Sequence, residues 1–146
     1  MNVKEFIDSD LPFYHITLCS NKKSILKNGL KTGSLKLGVC VTRSSDIRVL
    51  RLIAIGQLVN FSSEREFCIF RIIPSVYALT YDDIKEDFTV EITNPLHNYI
   101  KRKKLCVQQS DIFMDCFSIT ESDIPYFKPI EDELIAEGLI VSLEYD

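Results

Sequence analysis

The chain predicts a mixed α+β domain of short strands covered by a few helices, and three observations carry that prediction. Short apolar runs rich in β-branched and aromatic residues recur, as in Phe13-Tyr14-His15-Ile16-Thr17-Leu18 and Glu66-Phe67-Cys68-Ile69-Phe70-Arg71-Ile72-Ile73. Between such runs, Ile47, Leu50, Ile53, Ala54 and Leu58 fall at helical spacing. No repeat, linker or low-complexity tract interrupts the pattern, so residues 1–146 read as a single domain.

In chain order, residues 3 to 10 form a short helix or lead-in segment. It is closed by Asp10-Leu11-Pro12, because a residue before proline is pushed out of helical geometry. The strand Phe13–Leu18 follows, with Tyr14, Ile16 and Leu18 on one face and Phe13, His15 and Thr17 on the other. Ser20 caps a helix over Asn21 to Asn28, and Gly29 takes the position where a left-handed C-cap residue is expected. Lys31 to Leu37 is a loop, and Gly38-Val39-Cys40-Val41-Thr42 is a second strand. Ser44-Ser45-Asp46 supplies cap chemistry for the helix over about 47 to 59.

Further on, the strand at 66–73 stops at Pro74, Val76 to Leu79 adds a turn or short strand, and residues 82–87 make an acidic turn. Phe88 to Ile92 alternates as a short strand, and Asn94-Pro95 breaks the chain ahead of a helix over Leu96 to Leu105. Asp111 to Ile119 reads as a strand. Past the polar turn at 120–123, residues 131–135 open the approach to a terminal strand, Leu139 to Tyr145, placed after Gly138.

Composition narrows the function classes. With 146 residues, 46% hydrophobic and 26% charged, the chain can bury a core of its own without a metal or disulfide staple. No apolar run spans a bilayer and the N-terminus starts no signal peptide, so the expectation is a cytoplasmic protein without a membrane partner. The five cysteines, Cys19, Cys40, Cys68, Cys106 and Cys116, are odd in number and widely spaced, with no CxxC pair. They read as buried free thiols in a reducing compartment, and with His15 and His97 they complete no metal spacing. A net charge of −4 argues against broad nucleic-acid affinity, and Lys101-Arg102-Lys103-Lys104 reads as a solvated face, with a local phosphate contact as the alternative.

Four stretches taken in order, FYHIT, SILKNGL, GVCVTRSSD and EDELIAEGLIVSLE, make this chain resemble the ADP-ribosyltransferase family. The branch concerned pairs a histidine on its first strand with a late glutamate. The resemblance implies a split β-sandwich of two small sheets with flanking helices around a cleft for NAD, which serves as co-substrate without a metal. His15 would hydrogen-bond a hydroxyl of the adenine-side ribose, and the backbone at Ile16 would hold the nicotinamide amide. Thr17 would be structural, and Gly38 would let the second strand approach the ligand. Arg43, Ser44 and Ser45 would contact the phosphates or only cap the following helix.

Glu133 would be the catalytic carboxylate, gripping the ribose 2'-hydroxyl and stabilising the positive charge that builds as the nicotinamide bond breaks. Glu131, two residues earlier on the same strand face, would engage the acceptor. Tyr126 and Phe127 would face the substrate. Where many members carry a tyrosine to stack on the nicotinamide, this chain has Cys40, so the platform is missing or comes from Tyr14, Tyr126 or Phe127. Cys40 read without the resemblance is a small core residue.

The implied activity is transfer of ADP-ribose from NAD to a macromolecular acceptor, protein or nucleic acid. A toxin or a phage or bacterial conflict effector would do this, with an antitoxin or inhibitor as a further partner. The alternatives are an NAD-dependent RNA 2'-phosphotransferase and a catalytically degenerate binding module of the same fold.

Overall fold

The computed structural model describes residues 3–32, 38–61, 65–86, 98–119 and 127–138. It is a mixed α+β arrangement of small antiparallel sheets with few helices. Strands β1 (Phe13–Leu18), β4 (Glu66–Ile72) and β8 (Ile112–Ser118) form one sheet in the order β1-β4-β8. Strands β3 (Val39–Val41), β5 (Ile84–Glu86) and β6 (Asn98–Ile100) form a second, ordered β3-β6-β5. A two-residue ribbon pairs β2 (Leu30–Lys31) with β7 (Lys104–Leu105). The helices are α1 (Val3–Asp8), α2 (Lys22–Asn28), α3 (Ile47–Phe61) and α4 (Phe127–Ala136). Among the described residues no helix is long and apolar enough to cross a membrane.

The first sheet separates two cores, and the alternation of β1 does the sorting. Phe13 packs with Phe70, Ile72, Val39, Val41 and Ile100 on one side. Tyr14 and Ile16 pack with Leu50, Ala54 and Ile55 of α3, and with Ile69, on the other. Helix α4 joins that second side: Leu134 packs with Val49 and Leu52, and Ile130 touches both groups. Helix α3 forms where the sequence pattern places it because Asp46 caps it, its Oδ1 accepting from the Arg48 N–H at 2.9 Å.

Several expectations need correction. Of the helix expected over 96–105, the described residues 98–105 are not helical: Asn98–Ile100 and Lys104–Leu105 are separate strands, and all three residues of β6 are buried. Tyr99 and Ile100 favour a pleated, packed surface, and pairing on both sides, to β3 and to β5, outweighs the helix-tolerant lysines that follow. The acidic stretch at 82–87 splits into a single 3₁₀ turn, Tyr81–Asp83, and strand β5. The expected approach to a terminal strand at 131–135 is helix α4. Pro129 lies in its first turn, where a missing N–H costs nothing, so it opens the helix rather than breaking it. The expected strands Phe88–Ile92 and Leu139–Tyr145 lie outside the described residues.

The cysteines are not all free, nor all buried. Cys19 and Cys116 form a disulfide across 97 residues of chain, while Cys40 and Cys106 are exposed and Cys68 is buried. The pairing follows from position in the sheet. Leu18, opposite Phe67, and Phe117, also opposite Phe67, lie at the same end, so Cys19 and Cys116 meet over the start of β4. Strand β8 bulges there: Asp115 and Cys116 together oppose Cys68, and Cys116 has φ 46°. Closing so long a loop restricts the unfolded chain, so reduction is expected to lower stability by about 2–4 kcal/mol. Denaturant melts of the oxidised protein with and without reductant, and of Cys19→Ser/Cys116→Ser, check it.

Candidate functional site

Among the described residues, one main-chain bridge links the two three-stranded sheets. Tyr14 and Thr42 exchange both main-chain hydrogen bonds, each 2.8 Å, and past this pair β1 and β3 belong to different sheets. One residue further along β1, the His15 ring reaches across the parting and its Nδ1 lies 2.6 Å from the Cys40 carbonyl oxygen. A carbonyl can only accept, so Nδ1 carries the proton. Burial pushes the His15 pKa below its usual range, and the Cys40 bond offsets that only in part. The ring at pH 7 is therefore neutral, with Nε2 an acceptor on a half-buried side chain.

Register defines what shares this place. His15 is opposite Phe70, and Phe70 is opposite Ile112. Stepping one residue from the Tyr14–Thr42 pair puts His15 level with Val41, and Val41 is opposite Asn98. Val41 and Phe70 belong to the same core, so His15 faces that side, together with Asn98, a polar side chain only 1% exposed. Sequence reading missed Asn98 by placing it in a helix. The available signal was the pair Tyr99-Ile100, strand formers four and five residues past Pro95.

The other expected residues fall as follows. Ile16 is buried in the opposite core. Thr17 is buried, and its hydroxyl accepts from Asn21 Nδ2 at 3.2 Å, so it ties β1 to the turn that follows. Cys40 is exposed rather than a small core residue, and its carbonyl is the His15 partner. Arg43 places its guanidinium carbon 5.6 Å from the centre of the Phe6 ring. The Ser44 hydroxyl accepts from the Asp46 N–H at 3.2 Å and so builds the turn into α3, while Ser45 is exposed. Tyr126 lies outside the described residues, as does the side chain of Phe127.

Gly38 sits at a close approach between backbones. A Cβ added there would stand 2.1 Å from the Ile100 carbonyl oxygen, and its φ is 125°. This close approach is between strands β3 and β6, where Val39 is opposite Ile100. With both sterics and backbone conformation against a side chain, Gly38→Ala is expected to cost about 3 kcal/mol or more, measured by denaturant unfolding.

The carboxylates are not on the His15 side. On helix α4, residues two apart point to nearly opposite sides, so Glu131 and Glu133 do not share a face as they would on a strand. Glu131 is 5% exposed and Glu133 is exposed. Arg48 of α3 binds Glu133 at 2.9 Å and Glu137 at 2.6 Å through one guanidinium nitrogen, and holds Asp46 through its other two at 3.1 and 2.8 Å. These carboxylates, Asp46 first, raise the Arg48 pKa further above its usual range. Helix α4 packs on α3, and α3 covers the Tyr14/Ile16 face, the one opposite His15. The structure joins His15 to the Cys40 carbonyl, with Asn98 opposite Val41 on the next strand, and sets Glu133 in a separate ionic cluster around Arg48.

Comparison with protein-family models, with curated proteins and with solved structures finds no match to this chain.

The His15 environment has a pH signature. The unfolded chain takes up a proton near 6.5, whereas the folded ring resists it to lower pH. Between those values the unfolded state binds more protons, so stability rises with pH through that window and falls on acidification below about 6.5. Comparing unfolding free energies of wild type and His15→Gln from pH 5 to 7.5 tests this; the variant should lose that part of the slope.

Proposed function

We propose that this chain is a domain of the ADP-ribosyltransferase type, binding NAD where the two three-stranded sheets part and transferring its ADP-ribose to a macromolecular acceptor. The observation that carries the reading is the anchored, neutral imidazole. With Nδ1 committed to the Cys40 carbonyl, Nε2 is an oriented acceptor, which is what a donating ribose hydroxyl requires. Two small antiparallel sheets with helices on their flanks support the same reading. In the transfer, the bond between the ribose carbon and nicotinamide breaks, nicotinamide leaves as a neutral ring with the bonding pair, and an acceptor nucleophile forms the new bond.

One observation favours a second reading, a binding module of this fold without turnover. Glu133, the carboxylate the resemblance assigns to catalysis, is paired with Arg48 on the layer behind His15. Turnover through Glu133 requires α4 to release that pair and reach the other side.

Thermal melts with NAD and a nicotinamide-release assay separate the outcomes. NAD at a hundredfold excess over its Kd should add about 2.7 kcal/mol of stability, and His15→Ala should weaken binding about tenfold. Turnover lost in Glu133→Gln assigns that carboxylate to the reaction. Binding without nicotinamide release gives the module. No stabilisation by NAD in a folded protein overturns the proposal.

A further inference from the structure

On the ribbon formed by β2 and β7, Leu30 and Leu105 are opposite each other and buried, which turns the next pair, Lys31 and Lys104, outward and directly opposite. Both lysines are exposed, as are Lys27 in the last turn of α2, Lys23 one turn earlier, and Lys103 beside Lys104. The elements interlock: the Thr32 N–H donates to the Lys103 carbonyl at 3.2 Å. The Lys104 stem lies over Gly29, where a Cβ would meet its Cγ at 3.2 Å.

None of these five lysines forms an ion pair with a described carboxylate. Arg102, by contrast, is engaged within the fold. It donates to the carbonyls of Tyr77 and Ala78 at 3.0 and 3.1 Å and lies 3.5 Å from Asp83. Lysines directly opposite on paired strands repel, as do lysines four apart on a helix. In a chain of net charge −4, this gathering of like charge on one ribbon is not held by an ion pair to a described carboxylate.

We propose that the β2–β7 ribbon and the adjoining end of α2 form a docking surface for the phosphate backbone of a nucleic acid. The chemistry separates this partner from the other polyanions. A protein partner needs an apolar or aromatic anchor at the centre of its interface, and a lipid surface needs apolar side chains that insert. Among the described residues, the large exposed apolar side chains, Leu11, Ile47, Val76, Tyr81 and Phe113, all lie on other elements. Phosphate contacts need only cations, and lysines meet them as point charges without reading bases. The binding is therefore sequence-independent, strongly salt-dependent, and local to a protein whose overall charge is negative. It stands apart from NAD binding and supplies the acceptor class if that reading holds.

The test is fluorescence anisotropy of a labelled 20-nucleotide single-stranded RNA, with duplex DNA as a second probe, at 50 and 200 mM KCl and without NAD. Three or four lysine contacts predict a slope of log affinity against log salt of about −2 to −3 on the single strand. Lys31→Glu/Lys103→Glu should weaken binding at least tenfold and flatten the slope by about 1.4, two contacts' worth. The Lys31 change replaces a repulsive cross-strand pair by an attractive one, so the fold is retained, and an unchanged melting temperature checks it. Lys4→Glu, on α1, controls for net charge and should bind like the wild type. No binding at 50 mM overturns the proposal, as does wild-type binding by the double variant. Displacement of the RNA by polyglutamate at equal charge assigns the surface to an acidic protein segment instead, and binding to anionic vesicles without RNA binding assigns it to a membrane. Each result is read without NAD, so failure here leaves the NAD reading standing, and the reverse.

Discussion

The rest of the structure hangs on the exchange of main-chain hydrogen bonds between Tyr14 and Thr42, the bridge that links the two three-stranded sheets among the described residues. A ladder continued past it would spend the Cys40 carbonyl on a main-chain N–H of β1. Because the sheets part there, the carbonyl accepts from an imidazole instead, and a polar side chain is held at the boundary between two cores. At the far side of β3, Gly38 lets the carbonyl of Ile100 come close enough to pair the second sheet tightly. One strand of three residues is thus pinned by a shared pair at one end and by a close approach at the other. That is why a histidine beside it can be oriented without a carboxylate partner.

The same strand decides which chemistry meets which. Tyr14 and Ile16 draw α3 and, through it, α4 onto one face, while Phe13 and His15 turn to the other. Everything α4 carries goes with it. Arg48, rooted by Asp46 at the start of α3, gathers Glu133 and Glu137 and holds the two helices together at their exposed side as Leu134 does at their buried side. Such a partly exposed network contributes modestly to stability, but it fixes where the acidic groups of α4 point. Three groupings of charge stand out among the described residues: acidic groups around Arg48, lysines on the β2–β7 ribbon, and a neutral imidazole between the sheets.

Much of the fold was legible because local signals agreed with tertiary packing. The strand Phe13–Leu18 alternates, the stretch after Asp46 repeats at helical spacing behind a capping residue, and Gly29 takes φ 83° at the end of α2. Legibility failed where an element was too short to show a period. Asn98–Ile100 is three residues long and becomes a strand only because β3 and β5 hold it on both sides. It failed also at Pro129, a residue that ends helices in their interior and opens them in their first turn, so the residue alone does not say which. The disulfide was invisible for a different reason: 97 residues separate its cysteines, and only the stacking of β1, β4 and β8 brings them to one end of a sheet.

By itself the sequence determined strand β1, helix α3 and the face of β1 from which His15 projects, because strand alternation and helix capping are set by neighbours in the chain. The tertiary structure alone decided that His15 answers to the Cys40 carbonyl, that Glu133 answers to Arg48, and that Lys31 stands against Lys104. Contacts between groups 25, 85 or 73 residues apart (the last 104 less 31) depend on how layers stack and strands register, and no short-range pattern encodes that.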